Sequence, residues 1–103
     1  MSKNNLDQFN VLRKIKTKPN SSQRELASEL GFSLGKLNYC LKALKEKNLI
    51  KINNLQKNPN KLGYVYMITP KGIAQKTKLT LDFMKRKMKE YDELKSEIEQ
   101  DRN

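Results

Sequence analysis

The chain has 103 residues, which favours one domain with a modest core and leaves no room for a separate catalytic domain. Lysine and arginine number 22 against 11 aspartate and glutamate, so the net charge of +11 attracts polyanions: nucleic acid or an anionic membrane surface. Histidine is absent and Cys40 is the one cysteine, which excludes an intrachain disulfide, histidine-based acid–base or triad catalysis, and an ordered zinc ligand set.

Leu6, Phe9, Leu12 and Ile15 recur at spacings of three and predict a first helix over about 4–17, with Val11 beside that stripe. Lys18-Pro19-Asn20 breaks it, because proline disfavours helix in the residue before it. Ser22-Gln23-Arg24-Glu25 reads as a capping box. The short helix it opens, about 22–30, turns Leu26, Ala27 and Leu30 inward and ends at Gly31, which tolerates a left-handed cap. Ser33 is a second N-cap. The helix that follows, about 34–47, carries Leu37, Leu41 and Leu44 as a core stripe, with Cys40 as a small filler beside it. Two helices around a tight glycine-containing turn make a helix-turn-helix unit.

Leu49 to Asn53 reads as a short strand, residues 54–63 as a turn-rich loop, and Tyr64 to Thr69 as a second strand. Tyr64, Tyr66 and Ile68 share one face of it, Val65 and Met67 the other. Together they form a hairpin with a long tip. Thr69 then caps a final helix with Pro70 at its first position. No proline or glycine interrupts it from Lys71 to about Gln100 except Gly72. Roughly 30 residues at 1.5 Å each span ~45 Å, more than a fold of this size needs. Leu81, Met84, Met88, Tyr91, Leu94 and Ile98 mark an imperfect seam for helix pairing, broken by Lys95.

The expected fold is mainly α with a β-hairpin: a winged helix-turn-helix over 1–69, then a long dimerisation helix over 70–103. The stretches RELA, LNYCLKAL and TPKG, with the glycine turn between the first two, resemble the winged-helix regulators of the MarR type. The chain is most similar to the short group of these associated with exopolysaccharide loci. That resemblance implies a dimeric DNA-binding regulator. Larger members of the type dimerise through N-terminal and two C-terminal helices, with a small-ligand pocket between domains, whereas this sequence has few residues before its first helix and one C-terminal helix. No pocket, effector or cofactor is carried over.

The helix of residues 34–47 holds the informative face. Opposite its leucines stand Gly35, Lys36, Asn38, Tyr39 and Lys42, with Ser33 at its start. A helix fits the DNA major groove, where asparagine pairs with adenine bidentately and lysine donates to guanine O6 or N7. Tyr39 suits a phosphate or a thymine methyl, or it packs on the first helix. Ser33 and the free N–H groups near it suit a phosphate. Gln23 and Arg24 stand where flanking phosphates would lie, and Lys57, Asn58, Asn60 and Lys61 would reach DNA from the wing tip. A solvated surface is the simpler reading for each.

The last helix is basic over 76–89, with six basic groups to one acidic, and acidic over 90–101, with six acidic to one basic. A parallel pair sets like against like, whereas an antiparallel pair sets basic against acidic. No apolar run approaches the ~18 residues of a membrane span and the start MSKNNLDQF has no apolar leader core, so a cytoplasmic protein is expected. The expected function is sequence-specific binding of double-stranded DNA by a homodimer, acting as a repressor through occupancy of a two-fold operator. Two rivals remain: a winged-helix adaptor for another protein, and a non-specific nucleic-acid binder.

Overall fold

Three hydroxyl side chains open three of the four helices. In the computed structural model, which describes residues 3–54 and 64–102, Ser22 precedes α2 (Gln23–Leu30), Ser33 precedes α3 (Leu34–Glu46) and Thr69 precedes α4 (Pro70–Asp101). Each oxygen accepts the backbone N–H three residues on, from Glu25, Lys36 and Gly72 at 3.0–3.1 Å. Each cap satisfies one donor that a helix start leaves without a partner. Before them runs α1 (Lys3–Thr17), and between α3 and α4 lie β1 (Ile50–Asn54) and β2 (Tyr64–Ile68). The strands pair antiparallel, with Ile50 opposite Ile68 and Ile52 opposite Tyr66.

Helix ends are equally specific. Gly31 takes φ 68°, and the Phe32 N–H reaches back to the Ala27 carbonyl at 2.9 Å. This is the αL stop that the glycine allows. A second such stop escapes the composition rules: Asn48 takes φ 61°, and the Leu49 N–H bonds the Leu44 carbonyl at 3.0 Å. Asparagine tolerates this conformation better than other side chains, so it ends α3 sharply and starts β1.

Among the described residues, one cluster makes most of the core. Val11, Leu12 and Ile15 of α1 meet Leu26 and Ala27 of α2, Leu37, Cys40, Leu41 and Leu44 of α3, and Leu49, Ile50 and Tyr66 around the hairpin. Most residues of the stripes read from the sequence in α1, α2 and α3 are buried, while Leu6 and Leu30 at the stripe ends are half-buried. Burial pushes the Cys40 thiol above its ordinary pKa, and the Asp7 carboxylate adds to this while Lys36 opposes it. A group so placed stays a thiol and packs as a small apolar side chain.

Outside the core, Lys14 and Lys18 of the α1 end both bind the Glu29 carboxylate of α2, Lys14 at 3.0 Å. These bonds hold the Glu29 carboxyl below the usual carboxylate range. Their stabilisation is present above the ordinary glutamate pKa and is lost as pH falls through the lowered folded value. The pair is exposed, so solvent screens it.

The start of α4 is wedged into the body. Thr69 accepts from Gly72 and also donates its hydroxyl to the Asn48 carbonyl at 2.7 Å, while its N–H bonds the Leu49 carbonyl at 3.0 Å. Gly72 lies against Leu49: a methyl group there would sit 2.1 Å from the Leu49 oxygen and 2.7 Å from Cγ2 of Ile68. Further along, Phe83 packs on Phe9 of α1 with ring centroids 6.2 Å apart, flanked by Arg13 over Phe9 and Lys87 over Phe83.

The half-buried residues of α4, Gln75, Lys76, Leu79, Thr80 and Phe83, follow helical spacing and mark the side facing the body. Leu81, Met84, Met88, Tyr91, Leu94 and Ile98 are all exposed. Leu81 stands about 200° around the helix from Phe83, on the side away from the body. Among the described residues, no helix is long and apolar enough to cross a membrane, and no group of His, Cys, Asp or Glu is arranged to hold a metal ion.

Candidate nucleic-acid interface

The polar face of α3 stays bare because its other side supplies the centre of the core. Leu37, Cys40, Leu41 and Leu44 are buried, whereas Ser33, Gly35, Asn38, Tyr39 and Lys42 are exposed. Tyr39 is 61% exposed, so most of its surface is open to a partner. Leu34 joins this face as an exposed apolar residue at the first helical position. Counting helix phase from Leu37 would have found it, since residues 34, 38, 42 and 45 line up at helical spacing. Lys45 is also exposed.

Lys36 is placed differently from its expected neighbours. Its ammonium lies 3.3 Å from the Asp7 carboxylate of α1 and 4.2 Å from the centre of the Phe32 ring. Residue 36 stands one turn before buried Cys40, so its side chain leaves α3 on the flank that faces α1. Asp7 carried no signal in the sequence, because nothing local brings it to α3.

Gly35 is in ordinary helical conformation, and a methyl group there would meet nothing within 4 Å. The fold therefore makes no demand for glycine at this position. Gly35→Ala is expected to raise thermal stability by up to about 1 kcal/mol, the gain of alanine over glycine in a helix interior being the upper bound for this first-turn position, measured by thermal melting.

Asn38 is held from behind. The Gln23 amide nitrogen donates to Asn38 Oδ1 at 2.8 Å and to the Tyr66 hydroxyl at 2.7 Å. Tyr66 is buried in β2, so a chain of polar contacts runs from the wing strand through α2 to the exposed face of α3. Both amide hydrogens of Gln23 are used. Asn38 keeps one lone pair on Oδ1 and both hydrogens on Nδ2, the set a bidentate contact to adenine needs. Sequence reasoning placed Gln23 against flanking phosphate; the fold gives it this internal contact as well. Arg24 beside it is exposed. The wing-tip candidates Lys57, Asn58, Asn60 and Lys61 lie outside the described residues.

Comparison with known proteins agrees with this fold. Residues 8–51 match the protein-family model described as winged helix-turn-helix DNA-binding. No curated protein sequence matches significantly. Among solved structures, the chain is similar to Staphylococcus aureus MarR in complex with salicylate and kanamycin, with 25% identity, TM-score 0.65, and 79% of this chain and 53% of that one covered. It is similar to apo MarR from E. coli, with 27% identity, TM-score 0.60, and 69% and 51% covered. It is similar too to the transcriptional repressor CouR bound to a 23-mer DNA duplex, with 26% identity, TM-score 0.59, and 68% and 48% covered. The chain spans about half the length of these proteins. Its fold is a winged helix-turn-helix with a long C-terminal helix, and the similar structures include regulators of the MarR family.

Proposed function

We propose that the protein is a sequence-specific, double-stranded DNA-binding transcriptional regulator that acts as a homodimer and represses by occupying a two-fold operator. The observation that carries this reading is the bare face of α3, where Asn38, Tyr39 and Lys42 stand exposed above a fully buried leucine stripe. A solvated helix face has no use for an exposed tyrosine beside an oriented asparagine, but a major groove does. Ser33 and the first N–H groups of α3, with Arg24 and the start of α2, suit the phosphates on either side. Lys42 and Lys45 continue the cationic edge, and the net charge of +11 draws the duplex in. The repressor CouR, whose structure holds a DNA duplex, supports the same reading.

In this arrangement the Asp7 carboxylate holds Lys36 in the free protein, and a nearby phosphate competes for the ammonium. Residues 57–61 supply the wing contact. The exposed seam of α4 joins two copies, so that two α3 helices read related half-sites about 34–36 Å apart or a multiple of it. The short exopolysaccharide-associated regulators remain the group that RELA, LNYCLKAL and TPKG resemble most.

The test is selection of duplexes from a random pool by the purified protein, followed by titration against the selected duplex and a shuffled one. The expected result is a two-fold related consensus, bound ~10³-fold or more tighter than the shuffled sequence. Affinity falls with salt at a log–log slope of ~0.9 for each phosphate neutralised. A flat salt response or a pool without consensus would refute the reading. Gly35→Ala, stabilising in the free protein, is expected to weaken the selected duplex, because its methyl group stands where the groove approaches the backbone.

A further inference from the structure

We propose that α4 pairs with α4 of a second copy in the antiparallel sense, with the two-fold axis passing between Lys89 and Glu90. This rests on the reading that the exposed seam joins two copies, and it fixes how they join.

Three observations carry it. The first half of the seam lies on the side of α4 away from the body, since Gly72 and Phe83 face the body and Leu81, Met84 and Met88 do not. The body therefore leaves that side open along residues 81–88, and a second helix can lie there. Next, the change of charge falls between Lys89 and Glu90, the midpoint of the seam that runs from Leu81 to Ile98. Folding the pattern about that point sets Leu81 against the partner's Ile98 and Met88 against the partner's Tyr91. The same operation lays the basic segment 85–89 level with the partner's acidic segment 90–94, and on the flank of the seam it brings Lys85 near the partner's Asp92 and Lys78 near the partner's Glu99.

A parallel, in-register pair would instead lay the basic segments level with each other and the acidic segments level with each other, keeping Lys87 with the partner's Asp92 as its one opposite-charge flank pair along residues 78–99. Like charges alongside each other oppose pairing in helices. Finally, Lys95 interrupts the seam. In the antiparallel register it meets the partner's Met84, whose flexible thioether packs along the lysine stem. In the parallel register two lysines would meet in the seam.

Consequently the two bodies stand at opposite ends of the paired segment, and helix length sets the distance between their α3 faces. Parallel pairing would put both bodies at one end.

Disulfide trapping separates these arrangements. A tagged Leu81→Cys protein and an untagged Ile98→Cys protein, each an exposed position, are made alone and mixed, equilibrated and oxidised. Circular dichroism verifies that both fold, and the unmodified protein, whose Cys40 is buried, is the control. Sulfurs form a bond only when their Cβ atoms approach within about 4.5 Å.

The antiparallel pair predicts a cross-link in the mixture, joining tagged to untagged chain, and none in either protein alone. Cross-linking of each protein with itself would overturn the antiparallel proposal and leave the dimer standing. A dimer by sedimentation that cross-links in no combination would place pairing elsewhere and also overturn it. A monomer by sedimentation at tens of micromolar would overturn both this proposal and the homodimer reading beneath it.

Discussion

Asn38→Ala lowers affinity for the selected duplex by about 1–3 kcal/mol, or roughly 5- to 150-fold, and leaves shuffled duplex binding unchanged. The loss is that of one bidentate base contact. Binding to shuffled DNA rests on phosphates, which Asn38 does not touch in the proposed pose. Folding is preserved, because Asn38 is exposed and its amide contacts only Gln23 among the interactions described.

Gln23→Glu tests the support behind it. A carboxylate cannot donate to Asn38 Oδ1 or to the Tyr66 hydroxyl, and it places a negative charge beside the groove face. This variant is expected to lose specific binding in the same direction as Asn38→Ala while also weakening shuffled duplex. Fluorescence anisotropy on both duplexes, with thermal melts as the folding control, reads these outcomes. If Asn38→Ala bound the selected duplex as tightly as the unmodified protein, α3 would not be reading bases through that side chain.

The second large effect concerns stability. Gly72→Ala is expected to destabilise the protein by about 3 kcal/mol, at the upper end of overpacking effects. Two contributions oppose each other. Helix propensity favours alanine by about 1 kcal/mol. Against it stands a methyl group 2.1 Å from the Leu49 carbonyl oxygen, a backbone atom that cannot swing aside. The clash wins because relieving it must part the start of α4 from Leu49 and from Ile68 of β2. That movement strains the Thr69 bonds to Asn48 and Leu49. For a chain of this length the melting temperature should fall by more than ~10 °C. Gly35→Ala, where a methyl meets nothing, is the internal contrast: same substitution, same helical setting, opposite sign. Equal melting temperatures for the two variants would mean that α4 does not dock as described.

These two glycines show where local pattern stops being informative. Both sit in the first turn of a helix behind a hydroxyl N-cap, and the sequence assigns them the same helix penalty. Only the approach of Leu49 distinguishes them, and Leu49 is 23 residues from Gly72 in the chain.

The helices themselves were largely legible. Ser22, Ser33 and Thr69 announce three starts, Gly31 one stop, and spacings of three and four reveal the buried stripes, because capping and burial act through near neighbours. The expected ends of α1, α2 and α3 differ from the observed ones by a residue, as fraying ends do. The αL stop at Asn48 was missed, since asparagine permits that conformation without requiring it.

For the interface, the sequence determined which side of α3 carries polar groups, through the phase of Leu37, Leu41 and Leu44. It equally determined that α4 outruns the body and changes charge at its seam's midpoint. The tertiary structure decided what each side chain does there. It drew Lys36 to Asp7, joined Gln23 to Asn38 and Tyr66, and left Tyr39 bare, each outcome depending on elements brought together from 15 to 43 residues apart or from α1 across to α3. Periodicity reports the direction in which a side chain leaves its own helix. The partner it meets is set by how helices and hairpin pack around a common core, and no local pattern encodes that.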